Sequence, residues 1–220
     1  MKVKIIELLK LLVYKYTSFG DASYSYNLEP SQLAKIINIL DLKLSSGEEF
    51  NLMEIGLARG MTTRFICEHL TLNNFKGKYY CIDTFSSFVQ SDLDYEILKR
   101  GKKSKDLIGF NYISFNKWKK TFEDFSFIQP IQADISTIDF SDFKNIGFCL
   151  SDVDLYKPTK YILENLRKAS SQEAYLMVDD VRDEGPWDGA FQAYKEFTNN
   201  TDVSHELVGS KSGLIKFSKN

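Results

Sequence analysis

The sequence predicts an α/β fold, a mostly parallel sheet with helices on both faces. Three observations carry that expectation. From residue 50 onward, apolar strand-like runs alternate with segments of helical periodicity. The first strand, Leu52-Met53-Glu54-Ile55, turns on Gly56 and Gly60 directly into a helical segment. The last two strands, 205–208 and 214–217, flank Gly209-Ser210-Lys211-Ser212-Gly213 and read as an antiparallel hairpin.

A chain of 220 residues fits one domain with a small N-terminal addition. We divide it into an N-terminal helical cap and oligomerisation segment, 1–48, and a ligand-binding domain, 49–220. The apolar run 3–14 carries Glu7 and Lys10 and lacks a small-residue cleavage site, so it reads neither as a signal peptide nor as a membrane span. Lys4, Glu7 and Lys10 form one polar stripe on an otherwise apolar helix. Its broad face must be buried against the domain, a twin subunit or a membrane surface; packing against protein is the preferred reading. A homo-oligomer through the N-terminal helices is therefore a candidate assembly. The net charge of −2, with acids and bases interspersed, gives no reason to expect bulk attraction to nucleic acid. The short cluster Lys99-Arg100-Gly101-Lys102-Lys103 reads as a solvated loop. Cys67, Cys81 and Cys149 show no paired spacing and read as buried hydrophobes of a reducing compartment, which predicts a cytoplasmic protein.

Residues 18–30, with Gly, Asp, Ser and Asn, read as an irregular connector. Pro30-Ser31 then opens a helix whose apolar face is Leu33, Ile36, Ile37 and Leu40, ended by Ser45-Ser46-Gly47. Strand 50–55 leads to helix 61–70, and strand 78–82 ends at Asp83. Residues 86–125 are polar and aromatic and read as a helix with a loop. Strand 126–132 leads to Asp134, and strand 146–150 ends at Ser151-Asp152. Helix 159–169, strand 174–178 ending at Asp179-Asp180, and helix 187–198 complete the alternation.

Strand after strand ends on or just before an acid: Glu54, Asp83, Asp134, Asp152, Asp179. One such acid is most often a helix cap or turn residue. Five on one edge of a parallel sheet should converge on the crevice where open α/β sheets bind ligands. The glycine turn lets a nucleotide-like cofactor approach bare backbone and a helix N-terminus. Asp83 suits the bidentate acceptance of two ribose hydroxyls, and Asp134 an exocyclic amine of a base. Asp152, Asp154, Asp179 and Asp180 form a denser group. Brought close, they would repel one another unless a hard cation such as Mg²⁺ neutralises them. The plainer alternative is that one or two face the crevice while the rest cap helices.

At this point the residues resemble a known family. Glu54-Ile-Gly-Leu-Ala-Arg-Gly60 resembles the first motif of class I S-adenosylmethionine-dependent methyltransferases. Asp83-Thr-Phe85, Asp152-Val-Asp-Leu-Tyr-Lys-Pro-Thr159, Val178-Asp-Asp180 and the stretch from Pro186 to Phe197 are similar to the macrocin O-methyltransferase group, which acts on sugars of natural products. The resemblance spans roughly residues 50 to 200. It implies a Rossmann-like seven-stranded sheet whose last strand is antiparallel. It implies that Glu54, Gly56 and Gly60 line the methionine part of S-adenosylmethionine, with Asp83 on the ribose. It also implies Mg²⁺ held by Asp152, Asp179 and Asp180, with Asp154 the alternate for the first.

The expected activity is methyl transfer to a hydroxyl of a small-molecule acceptor, a saccharide by the resemblance. A phenol or catechol acceptor, and a non-catalytic cofactor-binding protein of the same fold, are the alternatives. One departure matters. The group is expected to use a histidine base between the second and fourth strands, and this chain has only His69 and His205, both read as structural. Asp152 and Asp188 are the catalytic candidates, with Lys157 and Tyr156 as alternatives for the base. The aromatic stretch 110–127, with Trp118, reads either as a lid or acceptor wall or as a packed amphipathic helix. A nicotinamide dehydrogenase is disfavoured, because no Gly-x-Gly-x-x-Gly pattern is present for the pyrophosphate.

Overall fold

The computed structural model describes residues 2–17 and 26–218, so the expected connector 18–30 lies largely outside the described residues. Seven strands form one sheet: β1 (Asn51–Ile55), β2 (Tyr79–Asp83), β3 (Ile128–Gln132), β4 (Ile146–Ser151), β5 (Ser170–Val178), β6 (Ser204–Val208) and β7 (Ser212–Ser218). Their order is β3-β2-β1-β4-β5-β7-β6. The first five are parallel to one another, and β7 runs antiparallel to both β5 and β6. The antiparallel last strand is as expected. The hairpin does not extend the sheet in chain order. Its second strand is inserted beside β5, and only β6 is left at the edge, with four of its five residues exposed.

Strand periodicity explains the two apolar layers. Leu52, Phe148, Leu150, Met177 and Leu214 point to one face, where α2 (Pro30–Ser45), α3 (Met61–Leu72) and α5 (Phe115–Thr121) cover them. Met53, Ile55, Cys149, Leu176 and Ile215 point to the other, under α6 (Tyr156–Asn165) and α7 (Gly189–Asn200). The three cysteines are free and buried. Pro30 sits in the first turn of α2, and Glu29 and Gln32 form a reciprocal capping box at its start. Leu33, Ile36, Ile39 and Leu40 bury the inner face of α2 in the first layer, so this helix belongs to the domain core.

One expectation is corrected, and one of the three alternatives for the N-terminal helix is set aside. Residues 86–125 are not one helix and a loop but α4 (Gln90–Leu98), a 3₁₀ turn at Ser104–Asp106, and α5. Gly101, at φ +70°, breaks the segment between them. The N-terminal helix α1 (Lys2–Tyr16) does not bury its apolar face on the domain: Ile5, Ile6, Leu8, Leu9, Leu12 and Val13 are all exposed. No described helix is long and apolar enough to cross a membrane.

Candidate active site

A cavity of about 510 Å³ opens at the carboxyl ends of the strands, a size that suits a cofactor-like ligand. It is lined after β1 by Gly56, Ala58, Arg59 and Met61, and after β2 by Asp83 and Thr84. Ala133, Asp134 and Ile135 follow β3, Asp152 to Leu155 follow β4, and Asp179 and Asp180 follow β5. Asn27 ahead of α2 and Lys211 from the β6–β7 hairpin close the same cavity. Seven aspartates face two cations, Arg59 and Lys211, so the cavity favours positively charged ligands.

The two glycines of the first turn do different work. Gly56 is at φ +84°, and a Cβ there would lie 1.9 Å from the carbonyl oxygen of Asp152. Its bareness lets the ends of β1 and β4 close on each other. Gly60, at φ +82°, is the N-cap of α3 and does not line the cavity. A Cβ there would strike Phe122 and Trp118 at 2.6 and 2.8 Å. The stretch 115–122 therefore packs as an amphipathic helix that braces the turn from behind, with Trp118 stacked on Phe122 at 4.2 Å. The cavity wall is formed instead by residues just upstream of this helix, Ile108, Gly109, Phe110, Tyr112 and Ile113. There Phe110 meets Phe88 edge-on at 5.5 Å, and Phe88 lies 5.2 Å from Trp187.

Asp83 shapes the turn as well as facing the cavity. One of its oxygens accepts from the backbone N–H of Leu57 at 2.7 Å and of Ala58 at 3.3 Å, the other from Phe85 at 2.6 Å. Asp134 lines the cavity and caps a 3₁₀ turn through the Ser136 N–H at 2.9 Å. Glu54 does not reach the cavity. It is 2% exposed, lies beneath the turn and accepts the phenol hydrogen of Tyr79. Burial drives its pKa up to about 7, against the lowering effect of the Tyr79 hydrogen bond.

Beyond β4 and β5, carboxylate oxygens of Asp152, Asp154 and Asp180 lie within 4.8 Å of one another. Burial and mutual repulsion push Asp152 and Asp154 well above the ordinary carboxylate range. Three hard oxygen donors at this separation fit a divalent cation such as Mg²⁺. Asp179 is differently employed. It is 2% exposed; one oxygen accepts from Gln32 at 3.1 Å and Ser212 at 2.8 Å, and the other pairs with Lys211. Backbone strain gathers here: Asp154 (φ 61°) and Asp180 (φ 54°), like Ala58 and Phe110, hold positive φ without being glycine.

Among the residues put forward for proton transfer, only Asp152 lines the cavity. Asp188 is the N-cap of α7 and is clamped by Arg100 and Lys102, each at 2.7 Å. Burial alone would raise its pKa, but these two cations hold it below the ordinary value, which makes it a poor base. Lys157 pairs with Asp92 at 2.9 Å, and the Tyr156 hydroxyl donates to Glu196 at 2.6 Å. His69 pairs with Asp41 on the surface, and His205 sits on β6. The cavity residues absent from the sequence reading, Met61, Phe88, Trp187 and Lys211 among them, carry no spacing signal; the sheet order brings them together.

No protein-family model matches this chain, and no curated protein matches its sequence. Solved structures do share its fold. The O-methyltransferase NovP is similar over 90% of this chain and 84% of its own, with a TM-score of 0.69 at 15% identity. CalS11, a calicheamicin methyltransferase, is similar over 99% of this chain and 93% of its own, with a TM-score of 0.63 at 14% identity. An apo structure of CalS11, described as a TDP-rhamnose 3'-O-methyltransferase, gives a TM-score of 0.58 over 99% and 94%. At such identities the likeness is one of fold.

Proposed function

We propose that this chain is an S-adenosylmethionine-dependent O-methyltransferase that acts, with the help of Mg²⁺, on a hydroxyl of a sugar or other small acceptor. The observation that carries the reading is a single cavity joining the Gly56 turn to the Asp152, Asp154 and Asp180 carboxylates, on a fold shared with O-methyltransferases. Bound S-adenosylmethionine would supply an activated methyl group, and the protein's task is alignment. Gly56 and Ala58 offer bare backbone to the methionine end, Asp83 accepts from the ribose and Asp134 from the base. Met61 and Ile82 give the apolar floor.

Asp152, Asp154 and Asp180 would hold the ion, which would lower the pKa of the acceptor hydroxyl. Asp152 is the carboxylate at the cavity wall to which the hydroxyl proton can pass. Phe88, Phe110 and Trp187 orient the acceptor ring. That aromatic wall also favours a second reading, a phenol or catechol acceptor. NovP and CalS11 are named as methyltransferases, the latter for a sugar, and this supports the saccharide.

We further assign oligomerisation to the exposed apolar face of α1 within the N-terminal segment 1–48, and the cofactor to the domain 49–220, to whose core and cavity α2 and Asn27 are joined. The buried free thiols accord with a cytoplasmic location.

Calorimetry tests the central reading. S-adenosylhomocysteine should bind, and Asp83→Ala should weaken it by about tenfold or more. Absence of binding by either cofactor form removes the proposal. Turnover of sugar and phenol acceptors should rise with Mg²⁺ and fall with EDTA; an EDTA-insensitive enzyme removes the ion.

A further inference from the structure

Lys211 stands at the tip of the β6–β7 hairpin, and its side chain is 15% exposed. Its ammonium pairs with Asp179 and lies 3.2 Å from an oxygen of Asp180. The hairpin tip cannot drift. The carbonyl of Lys211 accepts from the Val181 N–H at 2.6 Å, and Glu29 at the start of α2 accepts from the Ser210 N–H at 2.8 Å. Asp179 has both oxygens committed, to Gln32, Ser212 and Lys211. Asp180 is shared: it pairs with Lys211 and is also one of the three carboxylates gathered within 4.8 Å. Among the described ion pairs, Asp152 and Asp154 have no cation.

We propose that Lys211 is a tethered counter-cation that competes with a divalent ion for Asp180 and so sets the affinity of the acidic site. The inference rests on the ion-binding reading given above. A monovalent charge on a fixed stem neutralises Asp179 completely and Asp180 in part, leaving Asp152 and Asp154 as the strongest attraction for an incoming ion. Any ion that enters meets a like charge across one carboxylate, and repulsion at that range is large when water is scarce. Lys211 thus lowers the affinity, and it keeps Asp180 from repelling its neighbours when no ion is bound. A lysine with a merely structural role predicts the opposite result on removal: a looser cluster and weaker ion binding.

The test is Mn²⁺ binding by the full chain, followed by electron paramagnetic resonance. Lys211→Met should bind Mn²⁺ about tenfold or more tightly than the unaltered protein, and Lys211→Arg should stay close to it. Lys211→Gln, which keeps a donor for buried Asp179 while losing the charge, covers the case in which the methionine variant does not fold; it too should bind more tightly. Equal or weaker binding by a folded Lys211→Gln overturns the proposal while leaving the ion site standing. If neither the unaltered chain nor the neutral variants bind Mn²⁺, the ion site and the proposal fall together.

Discussion

The phenol of Tyr79 on β2 donates to the carboxylate of Glu54 on β1, and the two side chains are 1% and 2% exposed. Buried beneath the glycine turn, Glu54 has its pKa raised from 4.5 to about 7 by loss of hydration. The folded state therefore holds this proton more tightly than the unfolded state. Its contribution is fully present below about pH 4.5 and is lost as pH rises through about 7. Glu54→Gln should remove about 3 kcal/mol of pH dependence across that window, and the variant should be the more stable one above it. Urea unfolding at about pH 5 and about pH 8 measures both. Asp152 and Asp154 shift the same way, so a residual slope is expected.

Gly56→Ala should be far more costly than the same substitution at a glycine of positive φ that faces open space. A methyl group at Gly56 meets the Asp152 carbonyl, whereas one at Gly47, at φ +71°, meets nothing within 4 Å. We expect a loss of about 2–4 kcal/mol at Gly56 and about 1 kcal/mol at Gly47. Chemical denaturation of the two variants compares them directly. Similar losses would show that the β1–β4 contact has no special cost.

Asp188→Ala should act on stability and on the acceptor wall, and leave proton transfer alone. It removes the partner of Arg100 and Lys102, and Arg100 also holds the buried Glu96, whose carboxylate accepts the Tyr156 N–H at 2.8 Å. A partly buried pair of this kind is worth about 2 kcal/mol. Its pKa lies below the ordinary value, so this stability is present above that value and fades as pH falls through the lowered one. The acidic limb of the pH–rate profile should keep its midpoint in Asp188→Ala; disappearance of that limb would make Asp188 the base after all.

The sheet was legible because its strands are apolar runs that alternate with helical faces, and Gly56, Asp83 and the Asp152-to-Asp154 stretch were legible because they follow strands. Spacing does not reveal depth. Glu54 and Gly60 belong to the same short motif as Gly56, yet Glu54 lies within a strand buried on both faces, and the packing of α5 buries Gly60. The same limit applies to Asp179, whose chain neighbour Asp180 faces the carboxylate cluster while it is fixed by Gln32 from α2, 147 positions earlier. No local pattern encodes a hydrogen bond across that distance.

The insertion of β7 between β5 and β6 has a consequence for the order of synthesis. A ribosome that has released residues up to 200 has made β1 to β5 and every carboxylate of the cavity, but β5 is then still an unpaired edge of nine residues. Such an edge is open to pairing with other nascent chains. The strand that covers it follows directly on Lys211, which neutralises the acids. The cover for the β5 edge and the cation for Asp179 and Asp180 thus arrive in the same stretch of translation, so a chain stalled before Lys211 carries at once an open strand edge and an uncompensated acidic cluster.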